Sequence, residues 1–280
     1  LGYRTNSSNG SLTVTPKALT VTALMTAANN KVYDGTAAAT LQLSTNKFDN
    51  DVVTAVPSSA FFANKNVGTG KTITATGLSL TGADAANYSL SSTSTTSTGN
   101  ITAKALSLTY AGVNKVYDST TIATVTVNDD RIAGDDLTIG RTAVFADKNV
   151  GTGKTVTVSG ATLSGTDSGN YTLSSSTGST TADITQRTLT ISGITGPSRA
   201  YDGTTNATPV TSAIVYSNKV SGDSLSLSSS TGIFTDSKDV GTNKPITLVN
   251  QYVGSDLTNY NVVDQNSTTG TVTPKALTAT

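Results

Sequence analysis

The sequence predicts an all-β chain of tandem β-sandwich repeats. Three observations carry this. Four short landmarks return in the same order three times. Apolar residues alternate with polar ones: Ile73 and Ala75 fall between Thr72, Thr74 and Thr76, and Val156 and Val158 fall between Thr155, Thr157 and Ser159. A period of two reads as a strand with one buried face. No stretch of ten or more residues carries the apolar stripe of a helix.

The first landmark is KVYDGT at 31–36, which returns as KVYDST at 115–120 and RAYDGT at 199–204. The second is KNVGTGKT at 65–72, repeated unchanged at 148–155 and as KDVGTNKP at 238–245. The third, TGADAANYSL at 81–90, returns as SGTDSGNYTL at 164–173 and VGSDLTNYNV at 253–262. The fourth, TPKALT at 15–20, returns as TAKALS at 102–107, TQRTLT at 185–190 and TPKALT at 273–278. Tyr33, Tyr117 and Tyr201 stand 84 residues apart. That period is too long for a solenoid coil and is the size of a small domain. The expected divisions are the tail of a preceding repeat at 1–16, repeats at 17–103, 104–186 and 187–274, and the start of a following repeat at 275–280. The chain thus reads as a fragment of a longer array.

Each repeat holds about seven short strand-like runs. In the first they lie near 18–24, 36–44, 51–56, 59–63, 71–80, 87–92 and 98–103. Strands at this spacing, separated by Gly, Asn and Asp, suggest a sandwich. The stretch Lys154 to Ser174 has a strand, an Asp-x-Gly-x-Tyr-like turn and another strand. It resembles the E–F corner of immunoglobulin-like domains, where a tyrosine at the start of strand F bonds back to upstream backbone. Tyr88, Tyr171 and Tyr260 would be the corner tyrosines, with Leu90, Leu173 and Val262 where antibody domains place their second Cys. The expected fold is therefore immunoglobulin-like sandwiches end to end as a rod, with β-grasp-like repeats as the alternative. Junctions such as Ile184 to Leu189 have no Gly/Ser spacer, which implies a stiff connection.

Composition narrows the chemistry. Net charge is zero, 13% of residues are charged, and all 18 acidic residues are Asp. A neutral chain without basic clusters is not expected to bind nucleic acid. No apolar run approaches the length needed to span a bilayer, so membrane insertion by this stretch is not expected. The first residues, LGYRTNSSNG, lack the order of a signal peptide. With no Cys and no His, thiol nucleophiles, ordinary zinc sites and Ser-His-Asp triads are excluded. An Asp-only glycosidase needs two carboxylates facing one cleft, and no pair recurs at suitable spacing. Low apolar content raises disorder, but zero net charge and ordered alternation argue against it.

Several candidate sites follow from the letters. GTGKT at 68–72 looks like the end of a P-loop, yet the first glycine of that motif is replaced by Lys65, Lys148 and Lys238. The residues that follow alternate like a strand, whereas phosphate binding needs a helix there. In the third copy Lys244 precedes Pro245, which has no hydroxyl for magnesium. The expected role is a hairpin turn with positive φ at Gly68 and Gly70. The Tyr-Asp-Gly stretch reads as a turn after a strand; Ser119 in the second copy argues against a strict need for positive φ there. Asp129-Asp130 and Asp135-Asp136 are the acidic pairs that could hold calcium, though only the second copy shows them and without calcium-loop spacing. Lys71, Lys154 and Lys244 recur with Asn87, Asn170 and Asn259, the residue types of an isopeptide crosslink. The plainer reading is solvated lysines and asparagines that shape the corner. The 55 Thr residues raise ice or glycan binding, but alternating Thr also suits the solvent face of any strand. Tyr110, Tyr216 and Tyr252 lie outside the landmarks and could offer contact surface or fill the core.

Taken together, KVYDGT, KNVGTGKT, SGTDSGNYTL and ITxxxLT resemble the YDG-type repeat of very large bacterial surface proteins. These include filamentous-haemagglutinin-like adhesins exported by two-partner secretion and related MBG-repeat proteins. The resemblance spans three full units and two partial ones. It implies an extracellular, cell-surface stalk or fibre of a Gram-negative bacterium, associated with its outer membrane, that projects a binding tip or builds a filament. It implies no enzyme, and no catalytic, cofactor-binding or metal residues are assigned. No cofactor is expected, calcium being the one ion considered. Neighbouring repeats of the same chain are the first expected partners. The alternative is that the repeats are weak multivalent modules for glycan, host protein or receptor, or other copies of the fibre, in adhesion or biofilm.

Overall fold

The computed structural model describes residue 10 and residues 12–278. The expected tail at 1–16 and the last two residues of the segment at 275–280 thus fall largely or partly outside the described residues. The chain is all-β, with tandem repeated domains whose sheets are of the β-sandwich type. Among the described residues there is no α-helix, only four single-turn 3₁₀ segments. No helix among them is long and apolar enough to cross a membrane.

By contacts the chain divides into two compact units. One comprises residues up to Leu108 with Asp129–Gly140 and Thr162–Ser176; the other comprises Thr109–Asn128, Arg141–Ala161 and the residues from Thr177 onward. The division falls inside the second sequence repeat and not at a linker.

In the first unit, one sheet has the order Lys31–Val32, Ser94–Thr102, Gly68–Thr76, Ser59–Phe62. Its outer strand Lys31–Val32 runs parallel to its neighbour and the other pairs are antiparallel. Shorter pairings complete the repeat: Lys17–Leu19 parallel to Tyr88–Leu90, Val21–Leu24 with Gln42–Thr45, and Thr54–Val56 with Ser79–Thr81. The unit also holds Lys104–Leu106 parallel to Tyr171–Leu173, in the same register as Lys17–Leu19 on Tyr88–Leu90.

The second unit repeats these relationships. Lys115–Val116 lies parallel to Gly178–Thr185, which is antiparallel to Gly151–Ser164. Further on, Arg187–Ser192 lies between Val215–Ser217 and Tyr260–Val263, and a five-stranded sheet has the order Ser198–Ala200, Ser267–Thr273, Gly241–Val253, Ser226–Phe234, Asn206–Ala207.

The predicted alternation is realised. Ile73 and Ala75 are fully buried while Thr72, Thr74 and Thr76 face solvent; Val156 and Val158 are fully buried beside exposed Thr155 and Thr157. Solvent threonines are what a half-buried strand prefers. The run near 36–44 is mostly not strand: only Gln42–Thr45 and a single bridge at Ala38 pair. The cause is Lys31, whose ammonium binds the carbonyls of Thr36 and Ala38 at 2.8 and 2.9 Å, oxygens a ladder would otherwise use.

GTGKT opens a strand and is not a hairpin turn. The pairing of Gly68–Thr76 slips between Gly99 and Ile101, and the same slip occurs after Gly151 and after Gly241. The extra residue is Gly70, Gly153 or Asn243, at φ of 59°, 59° and 53°. This is a β-bulge that needs a left-handed residue. Gly70 has positive φ as expected, but Gly68 does not.

Candidate functional site

The Tyr-Asp-Gly loops are organised from within. Asp34 accepts from the Thr36 N–H and from Lys31; Asp118 does the same with Thr120 and Lys115. Asp202 accepts from the Thr204 N–H and pairs with Arg199. Side-chain acceptance two residues on is an Asx turn. The third position has φ of 78° at Gly35, 66° at Ser119 and 81° at Gly203. Positive φ is thus used in all three copies, and the reading that Ser119 made it dispensable is corrected. The loop must turn back sharply for the Lys or Arg to reach its carbonyls.

Only the tyrosine of this landmark looks away from its own loop. In the first unit Tyr33 is buried, and its hydroxyl donates to both oxygens of Asp135, at 3.0 and 2.8 Å. Tyr171 donates to the same carboxylate at 2.6 Å and accepts from the Ile132 N–H at 2.9 Å. The two rings meet edge-on, centroids 5.5 Å apart. Lys65, the residue that replaced the P-loop glycine, pairs with Asp135 at 2.9 Å and with Asp167 at 3.3 Å. Beside it the Val67 N–H donates to Asn170 Oδ1 at 2.9 Å, and Asn170 returns a bond to Asn66. Tyr33, Lys65 and Val67 belong to the first sequence repeat; Ile132, Asp135, Asp167, Asn170 and Tyr171 belong to the second.

The second unit contains the same arrangement one repeat later. Tyr117 and Tyr260 donate to Asp223 at 3.2 and 2.6 Å, and the Val220 N–H donates to Tyr260 at 2.9 Å. Their rings are 5.6 Å apart, again edge-on. Val150 N–H donates to Asn259 at 2.9 Å. Lys148 lies nearer Asp256, at 3.0 Å, than Asp223, at 3.6 Å. Ser119 bridges the difference: its hydroxyl donates to Asp223 at 3.1 Å and accepts from Lys148 at 3.2 Å.

A buried carboxylate is costly unless paired and fully hydrogen-bonded. Asp135 meets that condition with two phenols and an ammonium. Burial pushes its pKa up, but the bonds from Tyr171, Lys65 and Tyr33 outweigh it and hold Asp135 below the ordinary value. Burial first, then the Asp135 carboxylate, push Tyr171 up to about 12; burial and Asp223 do the same to Tyr260, also about 12. Hydrogen bonding to Asp135 raises Lys65, and bonding to Asp256 raises Lys148.

The apolar packing follows the clamps. One buried cluster joins Tyr33, Phe62, Ile73 and Ile101 of the first repeat to Leu106, Leu137 and Tyr171 of the second. Another joins Tyr117, Phe145, Val156 and Ile184 to Leu189, Ile191, Phe234 and Tyr260. Both clusters cross a sequence junction without interruption.

The corner tyrosines do bond back to upstream backbone, as expected. Tyr88, Tyr171 and Tyr260 each accept a backbone N–H, from Phe48, Ile132 and Val220. The sequence reading missed their acid partners. Asp51, Asp135 and Asp223 stand 37, 36 and 37 residues before their tyrosines, a near-constant offset that aligning the copies would have found.

The acidic pairs considered for calcium go elsewhere. Asp129 pairs with Arg131, Asp130 with Lys104, Asp135 enters the clamp, and Asp136 accepts from Thr166. The lysine–asparagine pairs considered for a crosslink do not form. Lys71 bonds Asn64 and the Asn66 carbonyl, Lys154 pairs with Asp147 at 2.7 Å, and Lys244 pairs with Asp236 at 2.8 Å. Asn170 and Asn259 serve the clamps instead. Tyr110, Tyr216 and Tyr252 pack against the core of the second unit, in keeping with the core-filling reading.

A protein-family model described as "YDG domain" matches residues 15–97, 102–180 and 185–270. No curated protein matches the chain. Among solved structures, a Drosophila N-cadherin EC1-3 crystal structure aligns with 93% of this chain and 98% of its own, at 8% identity and a TM-score of 0.23, too distant to carry an argument.

Proposed function

The chain belongs to the YDG domain family, and from that premise we propose that its repeats are a structural spacer of a bacterial cell-surface adhesin. In this reading tandem stiff domains project a binding tip or build a surface filament, without catalysis. The observation that carries it is the junction clamp. The same Tyr–Asp–Tyr group with its lysine is built at two successive junctions from residues in the same register. A flexible tether would have no use for a buried, fully bonded carboxylate there. Holding neighbours through three donors on one acid, with apolar packing beneath, restricts their relative motion.

Small-angle scattering on chains of two, three and four repeats tests this. A spacer predicts a maximum dimension that grows by one fixed increment per repeat. Growth as the cube root of mass would overturn it.

A further inference from the structure

The clamp also has two unsatisfied halves in this chain. The first repeat carries a complete acceptor half. Tyr88 donates to Asp51 at 2.5 Å and accepts from Phe48 N–H, while Val52 N–H donates to Asp84. These match Tyr171, Asp135, Ile132 and Asp167 position for position. Yet Asn87 is exposed, whereas Asn170 and Asn259 are 4% and 1% exposed. Phe48 is 62% exposed, whereas Ile132 and Val220 are half-buried.

The third repeat carries a complete donor half. Tyr201 is only half-buried, where Tyr33 and Tyr117 are 2% and 0% exposed. Lys238 is exposed, where Lys65 and Lys148 are half-buried, and Val240 is 52% exposed, where Val67 and Val150 are half-buried. Gly203 has open space over its Cα, while the equivalent Gly35 lies under Ile132, whose methyl would be 2.8 Å from an added Cβ.

We propose that these halves are one heterologous interface, and that the donor half of one copy docks on the acceptor half of a second copy of this chain. Tyr201 then donates to Asp51, Lys238 pairs with Asp51 and Asp84, Val240 N–H donates to Asn87, and Phe48 covers Gly203. Every one of these bonds has its counterpart at 2.6–3.6 Å in a junction within the chain. Charges are complementary: an ammonium on one half, two carboxylates on the other. Asp239, where Asn66 and Asn149 stand in the other copies, supplies the acceptor for the Asn87 amide. The contact is head-to-tail, so it propagates and does not close as a symmetric dimer. Within the chain the short linkers hold such halves at an effective concentration on the order of mM, so association in trans is weak. It rests on the junction geometry and not on the spacer reading.

Sedimentation of the full chain at concentrations up to about 1 mM tests this, with Lys238→Asp to block the donor half and Asn87→Lys to block the acceptor half. Both side chains are exposed and make no bonds on which their own repeats depend. The wild type is expected to form dimers and longer species as concentration rises. Each variant alone is expected to associate at least tenfold more weakly. An equimolar mixture of the two is expected to form one-to-one dimers and nothing larger, because each retains one intact half. A wild type that stays monomeric throughout, variants that associate like the wild type, or a mixture that stays monomeric overturns the proposal. None of these results bears on the spacer reading, which concerns repeats joined in one chain.

Discussion

The hydroxyl of Tyr33 reaches the carboxylate of Asp135 at 2.8 Å across 102 positions of sequence. One residue comes from the loop that gives the family its signature letters; the other comes from the next repeat. The signature tyrosine is therefore a junction residue.

Removing that bond leaves part of a buried carboxylate unsatisfied. Tyr33→Phe is expected to destabilise the first junction by about 1–2 kcal/mol. Asp135→Ala, which strands both phenols, should cost roughly 3 kcal/mol. Denaturant unfolding monitored by tyrosine fluorescence measures both. Equal stability of Asp135→Ala and wild type would mean that the carboxylate is incidental.

Ser119 combines a strained backbone with a useful hydroxyl. Ser119→Ala keeps the φ of 66° and loses the bonds to Asp223 and Lys148, so it should cost about 1 kcal/mol. Ser119→Gly loses the same bonds but relieves about 1 kcal/mol of left-handed strain and should be near neutral. Thermal unfolding of the pair decides the point; a glycine variant less stable than the alanine variant contradicts this account.

The clamp has a defined pH window. The Tyr171 pKa is raised to about 12 by burial and Asp135, and that of Tyr33 is raised chiefly by burial. A raised value stabilises fully below the ordinary tyrosine value of 10.0 and is lost as pH climbs through about 12. Asp135 is depressed, so its contribution is present above the ordinary 3.8 and is lost as pH falls below it. The melting temperature should be flat across neutral pH and fall beyond pH 10. Tyr171→Phe should flatten the alkaline fall; an unchanged alkaline limb would exclude Tyr171 as its source.

The bulge in GTGKT tests the structural reading of those letters. Gly70→Asn should be tolerated to within about 0.5 kcal/mol, because Asn adopts the left-handed region readily and Asn243 already does so at φ of 53°. Gly70→Val should cost about 2 kcal/mol, since a β-branched residue is disfavoured there. Chemical denaturation of both variants is the check, and equal losses would argue against a left-handed requirement.

Much of the fold was legible because it is periodic. Ile73, Val156 and Ile246 announce their buried faces through alternation, and three registers of the same letters announce the repeat. The clamp was not legible as a site, because its members are ordinary alone. Asp135 stood out only beside Asp136, which suggested an ion, and Lys65 only as a missing glycine. Their meaning lies in a pairing some 36–102 residues apart, which no local pattern encodes. Ser119 misled for a related reason: its left-handed backbone is held by a carboxylate from another repeat.

The central claim is that neighbouring repeats are coupled through a shared core and clamp. Native-state hydrogen exchange of Asp135→Ala tests it most directly. Asp135 lies in the second repeat, but the Tyr33 N–H, bonded to Thr102 O at 2.8 Å, and the Phe62 N–H, bonded to Ala37 O at 2.7 Å, lie in the first. The account predicts that protection at Tyr33 and Phe62 falls together with protection at Ile132. Loss confined to the second repeat, with Tyr33 and Phe62 protected as in the wild type, would contradict it.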